Sequence, residues 1–505
     1  MKKPSQHPVL VDIQNRGLSR RSFLYNLFMA AGSVPLATWL TACDSDSDSN
    51  GGGNSGRGRD PNFQSAFAQM GPLQAPDENG VQLPAGFSSR VLAVVNEAPI
   101  PSQPDFTWHS DPDGGGVFRT DDGGWIYLSN SEARDATTLG AAIPEAPLIS
   151  ELLSRDVLES LSDGLGPITG LLPLTPPLVL PFSGGVSALR FDADGNLVDA
   201  YPVQRNTTTN CSGGVTPWGT WINGEEILDG FMFECSPLRD GGTPRRLDRF
   251  GRKAHEMAAV DADNRAIYHT EDITGSDRFY RTIFSASAWP AGGRPDFEQG
   301  VLQVLAVDAG IDAARQGPTA IRWVDAIDDG TPQPQVYQEE TTIFAGNEGV
   351  WVFEGFIFFS TKGDDNIWAI DTVGNTIESI FSPENAPPGS PVDESEPRMT
   401  GVDNLAMTLD GEMIVVEDGG DMRAMVLLPD GRTIPLLRLP GDPEAAQPSE
   451  VTGPAFSPDG RRIYVASQRG LPDGTAVPFG FGGVIYEITM PFAVRVDPPL
   501  AQALS

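Results

Sequence analysis

Short runs of strand-type residues recur along the chain, separated by Asp-Gly turns. Phe191-Asp192-Ala193-Asp194-Gly195-Asn196-Leu197 is one such turn, and Leu428-Pro429-Asp430-Gly431-Arg432-Thr433-Ile434 is another. The same form returns around Asp410-Gly411, ahead of Met413-Ile414-Val415-Val416, and around Asp459-Gly460, ahead of Ile463-Tyr464-Val465. Asp-Gly supplies the positive φ that a tight reversal needs, so each unit predicts two antiparallel strands. Turn–strand units repeated this way, in a chain with 56 Gly and 44 Pro, predict an all-β fold, a β-propeller rather than a sandwich. One stretch departs from the pattern. Residues 145–162 read as an amphipathic helix, with Ile149, Leu152, Leu153, Val157, Leu158 and Leu161 along one side. A Leu/Pro-rich run follows, so residues 140–182 are expected to be a small helical insertion packed on the rim.

The N-terminus carries a different signal. Ser19-Arg20-Arg21-Ser22-Phe23-Leu24 is a twin-arginine pattern, followed by an apolar run from Tyr25 to Leu40 and then Thr41-Ala42-Cys43. A basic front, a short apolar middle and small residues before a cleavage point make an export leader. The apolar run is shorter than the ~20 residues a membrane span requires. Leu40-Thr41-Ala42-Cys43 also fits a lipobox, which would make Cys43 the lipid-modified first residue. Residues 1–43 are therefore expected to be the leader and 44–75 a flexible Asp/Ser/Gly-rich tether that cannot bury a core. Residues 76–505 would form one β-propeller domain carrying the insertion, held at the membrane by a lipid anchor in the periplasm or at the cell surface, and monomeric.

Charge narrows the partners. The formal net charge is −34, and the basic leader makes the remainder more acidic still. Such a surface repels nucleic acid and anionic lipid. It repels phosphate esters too, unless bound cations invert the local field. The three cysteines are Cys43, Cys211 and Cys235. The last two could pair in an oxidising compartment, or one could be a metal ligand and the other a buried thiol. No nucleotide-binding loop, nucleophile elbow or zinc-type cysteine pair is present. His109, His255 and His269 lack the context of a zinc site.

Acidic residues instead gather at strand ends. They are Glu132 after Asn130-Ser131, Glu225-Glu226, Glu256 after His255, Glu271-Asp272, Glu348 after Asn347, Asp403-Asn404, and Glu417-Asp418. Each alone reads as a solvated strand end. Together they recur in successive units, and a propeller brings such ends to one central channel. Hard cations take six to eight oxygens, and a thiolate suits iron.

The segment Asn210-Cys211-Ser212-Gly213-Gly214-Val215-Thr216-Pro217-Trp218 through Glu225-Glu226 resembles the signature of the PhoX-type alkaline phosphatases, a metal-dependent β-propeller family. The resemblance extends over about residues 83–488, through the Asn347-Glu348-Gly349-Val350-Trp351 and Asp403-Asn404-Leu405 blocks. It implies six blades, phosphate-monoester hydrolysis and a centre of ferric iron and calcium ions. Carried over by position, Cys211, Glu256 and Glu348 would be iron ligands. Glu132, Glu226, Glu271, Asp403, Asn404, Glu417 and Asp418 would be calcium ligands or their supports, with Asn210 and Thr216 as orienting groups. The chain departs from the family at Ser131, at Gly346-Asn347 (where larger members have Arg-Pro) and at Gln468-Arg469-Gly470. An arginine for the substrate phosphate is not singled out among Arg245, Arg246, Arg249, Arg252, Arg278 and Arg281. Two alternatives remain: a non-catalytic calcium-binding propeller serving as an interaction module, and a lactonase-like hydrolase that would need calcium but neither iron nor Cys211.

Overall fold

A computed structural model describes residues 65–133, 184–273, 275–387, 390–391, 396–419, 421–441 and 448–504. The leader, Cys43, most of the tether and the 140–182 insertion with its expected helix lie outside the described residues. The packed structure begins ahead of residue 76. Phe67 is fully buried and meets Phe492 edge-on at 5.3 Å between ring centroids.

The described residues form antiparallel meanders. The first strand, β1 (Ser88–Val94), belongs to the last meander and is taken up below. The first unit is β2 (Pro112–Arg119), β3 (Trp125–Ser131), β4 (Gly184–Phe191) and β5 (Leu197–Thr207). The second is β6 (Asn210–Val215), β7 (Trp221–Glu225), β8 (Met232–Cys235) and β9 (Arg245–Leu247). The third, β10 (His255–Asp261), β11 (Ala266–Glu271), β12 (Phe279–Ile283) and β13 (Val301–Val307), is joined through β14 (Thr319–Asp325) to the fourth. That unit is β15 (Asn347–Phe353), β16 (Phe356–Thr361), β17 (Asn366–Asp371) and β18 (Thr376–Phe381), and the two together make one nine-stranded sheet. The fifth is β19 (Val402–Met407), β20 (Met413–Glu417), β21 (Arg423–Leu427) and β22 (Thr433–Arg438). The sixth is β23 (Val451–Phe456), β24 (Arg462–Ser467) and β25 (Val484–Thr489), with β1 added at its outer edge. All four Asp-Gly turns join consecutive strands, and Gly195, Gly411, Gly431 and Gly460 have positive φ.

Each unit's first strand contacts the next, β2 to β6 to β10 to β15 to β19 to β23 and back to β2, so the ring closes around an axial channel. This is the propeller arrangement. Closure is non-covalent: β1 pairs antiparallel with β25, Ser88 opposite Thr489. Apolar faces between units fill the body. Phe279 of β12 packs against Phe359 of β16 in a tilted pair with ring centroids 4.4 Å apart, and Trp368 is fully buried beside them; aromatic pairs of this kind add about 0.5–1.5 kcal/mol beyond the area they bury.

The inner strands approach closely because small residues line them. A Cβ built on Gly214 of β6 would stand 2.1 Å from the carbonyl oxygen of Ala258 on β10, and one on Gly114 would meet the Ser212 side chain at 2.3 Å. One half of the channel is a cavity of about 590 Å³ with mostly apolar walls, among them Val215, Met257, Trp351, Leu405 and Phe456. The chain's last segment crosses this end: Pro499 accepts from the Arg119 N–H at 2.8 Å, and Gln502 donates to the Gly219 carbonyl at 2.9 Å.

Gly214→Ala is expected to push β6 from β10 and lower stability by about 1–3 kcal/mol. The midpoint of urea unfolding checks this, and an unchanged midpoint would mean the inner ring is looser than described.

Candidate metal centre

The channel's other end is built by a register that repeats in every unit. The first hairpin of each begins with a cross-strand pair: Pro112 opposite Ser131, Asn210 opposite Glu225, His255 opposite Glu271, Asn347 opposite Thr361, Val402 opposite Glu417 and Val451 opposite Ser467. In the first five units the inner strand carries a β-bulge immediately afterwards, and in the sixth it comes one pair later, after Thr452 opposite Ala466; each time the register slips by one residue. A bulge bends its strand and re-aims the side chains beside it. The residue next after each pair, on the inner strand, is Asp113, Cys211, Glu256, Glu348, Asp403 or Thr452. Just past the end of the second strand come, in the same order, Glu132, Glu226, Asp272, Lys362, Asp418 and Gln468.

Hydroxyls and amides hold the bulged backbone across unit boundaries. Asn130 Nδ2 donates to the carbonyl of Ser212 at 2.9 Å, while its Oδ1 accepts from Trp221 Nε1 at 2.9 Å. Thr270 Oγ1 donates to the Glu348 carbonyl at 2.6 Å, and Ser360 Oγ to that of Asp403 at 2.6 Å. Asn130, Thr270 and Ser360 occupy the same place in their units, one residue before the terminal pair. Each steadies the ligand-bearing strand of the unit beside it.

The result is a continuous cluster of donors. Ligand atoms of Asp113, Cys211 and Glu256 lie within 4.8 Å of one another, as do those of Glu132, Cys211 and Glu226. The same holds for Asp113, Glu132 and Glu450, for Glu256, Glu348 and Asp403, and for Asp403, Asp418 and Glu450. Cys211 and Glu256 each belong to two groups. Among the described residues, none of these groups contains a histidine.

Electrostatics matches the crowding. Burial, then the neighbouring Glu348 and Glu226, holds the Glu256 carboxyl well above its usual range. Burial does the same to Asp113, with Glu132 and Asp403 adding to it, and to Glu450. Asp403 is pushed up to about 7, by burial first; Lys362 opposes this, and the acidic neighbours Asp418, Asp272 and Glu132 add to it. The Cys211 thiol is held well above its ordinary value by burial and by four carboxylates around it. The buried Asp113 Oδ1 has no hydrogen-bond partner, a costly state for a carboxylate oxygen. Its other oxygen accepts from Gln468 Nε2 at 2.8 Å, and Gln468 also donates to Glu132. Eight carboxylates and a thiol gathered in this way are the donor set of a multi-cation site: oxygens for hard ions, with one sulfur.

Of the residues expected from the sequence, Cys211, Glu256, Glu348, Glu132, Glu226, Asp403 and Asp418 come together here. Asn404 supports the cluster, its Nδ2 donating to Asp403 Oδ1 at 2.8 Å and its Oδ1 accepting from the Gly453 N–H at 2.9 Å. Glu271 and Glu417 do not join it. Successive strand residues face opposite ways, and each lies one residue before the channel position. Glu271 accepts from Tyr280 and Tyr337 at 3.1 and 2.9 Å. Glu417 forms a buried ion pair with Arg423 at 2.8 Å. Asn210 donates to Asn223 behind the strand, and Thr216 bonds Thr220 in the turn at the far end of the hairpin, so neither orients a ligand side chain. Cys211 and Cys235 are both free, with Cys235 in the core.

Sequence reasoning missed Asp113, Glu450 and the cationic groups. The six arginines considered for phosphate are engaged elsewhere: Arg245 with Glu298, Arg246 with Asp248, Arg249 with Asp328, Arg252 with Asp229, and Arg278 and Arg281 over Tyr337 and Trp323. The cations at the centre are Lys362, with Nζ 2.6 Å from Glu348 and 2.8 Å from Asp418, and Arg469, 3.5 Å from Glu450 and stacked on Phe479.

Comparison with known proteins bears on this geometry. A family model described as alkaline phosphatase PhoX matches residues 184–230 and 228–356. No curated protein matches significantly. Among solved structures, PhoX of Pseudomonas fluorescens in complex with vanadate, a transition state analogue, superposes with a TM-score of 0.58 at 15% identity, covering 86% of this chain and 99% of that one. A gluconolactonase from Xanthomonas campestris superposes with a TM-score of 0.39 at 11% identity, over 84% of this chain and 96% of its own. The matched segment holds Cys211, Glu226, Glu256 and Glu348 in their register, and over residues 184–356 the chain is similar to the PhoX family.

Proposed function

We propose that the protein is a phosphatase that hydrolyses phosphate monoesters at a multi-metal centre in the channel. The observation that carries this reading is the repeated bulged register, which turns acidic side chains and one thiol from successive units onto a single point. Calcium is the ion that the oxygen-rich groups fit. Iron is the ion that the Cys211 group fits, with Asp113 and Glu256 as its carboxylate partners; Glu348 groups instead with Glu256 and Asp403. Cations held there would cancel the charge of a phosphate dianion and activate an oxygen nucleophile.

The chain's own residues set the conditions. Glu132, Glu226, Asp403 and Asp418 fix the donor spacing, and Asn404 with Gln468 hold carboxylates in place through hydrogen bonds. Asn130 fixes the backbone at Cys211. Without cations the pocket is negative and would exclude a phosphate, so substrate binding requires prior loading. Cys211 must lose its proton to ligate, which couples loading to pH.

We also propose that the chain is exported folded by the twin-arginine route and held as a lipid-anchored monomer through Cys43, in the periplasm or at the cell surface. The leader pattern and the lipobox support this.

Cys211→Ala and Glu256→Gln are each expected to lower phosphomonoester turnover by at least a hundredfold and to reduce the bound metal. Elemental analysis beside a chromogenic phosphomonoester assay checks both. A wild type holding calcium without iron and turning over no phosphomonoester would refute the reading.

The metal-stripped protein is expected to lose stability as pH rises from about 4 to about 7. Asp111 and Asp403 rise from 3.8 to about 7 on folding, and Asp272 to about 6, burial being the largest cause in each. In that window the unfolded chain sheds protons that the folded chain keeps, so the folded state is progressively disfavoured. Thermal melts in a chelator at pH 5 and pH 8 measure this, and calcium should restore the melting temperature at pH 8. Stability that instead rises with pH would contradict it.

Replacing Arg20 and Arg21 with lysine is expected to retain the protein inside the cell, and Cys43→Ser to release it from the membrane fraction. Fractionation followed by immunoblotting separates the two outcomes, and unaltered fractionation would refute the proposed export and anchoring.

A further inference from the structure

The six-unit register has one inversion of charge. Just past the second strand the units carry Glu132, Glu226, Asp272, Lys362, Asp418 and Gln468. Five are acidic or neutral oxygen-bearing side chains. One is an ammonium. Lys362 closes β16, and its Nζ reaches inward to Glu348 Oε1 at 2.6 Å, Asp418 Oδ2 at 2.8 Å and Asp272 Oδ2 at 3.8 Å. These carboxylates come from three strand ends, β15, β20 and β11. They face one nitrogen as they would face a bound ion.

We infer that Lys362 is a tethered cation standing in the place of one divalent ion, so the centre binds one ion fewer than its acidic register would hold. This rests on the reading of the cluster as a metal centre. An ammonium has three N–H donors and no acceptor, and Lys362 has three carboxylates around it. Turning Nζ away toward a substrate would leave the buried Glu348 and the partly buried Asp418 without their cation, which is unfavourable. The remaining donors stay available for metal: Asp113, Glu132, Cys211, Glu226 and Glu256 on one side, Asp403 and Glu450 on the other. Glu348 and Asp418 lie in two ligand groups that share Asp403, and the ammonium pairs with one carboxylate of each. It makes the centre asymmetric, with exchangeable ions concentrated toward β2, β6 and β10.

The test is the number of calcium ions bound per chain. The full-length protein, metal-stripped and then equilibrated with calcium, is measured by dialysis and elemental analysis as wild type, Lys362→Met and Lys362→Arg. The methionine variant is expected to hold one calcium more than wild type, and the arginine variant the same number as wild type. An equal count in wild type and the methionine variant would overturn the inference. A methionine variant that stays unfolded by circular dichroism in millimolar calcium would also overturn it, since a divalent ion could then not replace the ammonium. If wild type itself binds no divalent ion, the metal centre fails along with the inference, whereas equal non-zero counts leave the centre standing.

Discussion

Mutual repulsion among the channel carboxylates is the constraint around which the structure is organised. Eight of them and a thiol converge where water is largely excluded. Like charges this close cannot all be ionised unless cations sit between them. The protein opposes that repulsion with rigidity. The inner strands are clamped by close backbone approach at Gly114 and Gly214, and Asn130, Thr270 and Ser360 tie neighbouring units together. Lys362 and Arg469 supply fixed positive charge at the edge of the cluster. A softer frame would relieve the repulsion by moving apart. This one holds the donors at spacings suited to ions.

The bulge is the local device that makes such crowding possible. In a regular strand, neighbouring residues point to opposite faces, and a strand end offers the channel only one of them. The extra residue in each inner strand turns Asp113, Cys211, Glu256, Glu348 and Asp403 toward the axis while the rest of the strand keeps its pairing. The small side chains that follow, such as Gly114, Ser212 and Gly349, leave the room this turn requires.

Much of this was legible in the chain. The Asp-Gly turns predicted strand pairs, and all four fall between consecutive strands. The recurring acids pointed to a channel centre, and most of those singled out meet there. What failed was resolution by one residue. Glu271 and Glu417 were chosen beside Asp272 and Asp418, because strand ends are visible in a sequence but the pleat phase at the end of a strand is not. Asp113 was hidden in Asp-Gly-Gly-Gly, which reads as a turn, and Glu450 stands ahead of its strand. Lys362 was overlooked because the search for positive charge followed clusters of arginine, and a lone lysine at a strand end has no local signature. Aligning the hairpins by their first cross-strand pair would have exposed Asp113 and Lys362, though not Glu450, but that register depends on bulges that no periodicity announces.

The joint between β1 and β25 has a consequence for how the molecule comes into being. The two strands pair although they stand about 400 residues apart in sequence, so β1 has no sheet to join until the final unit exists. Until then the sixth meander lacks its outer strand and the ring stays open. Bringing such distant segments together is entropically slow. The sixth unit must therefore be made before the architecture can shut, and β1, the first of the described strands, is among the last to find its neighbour.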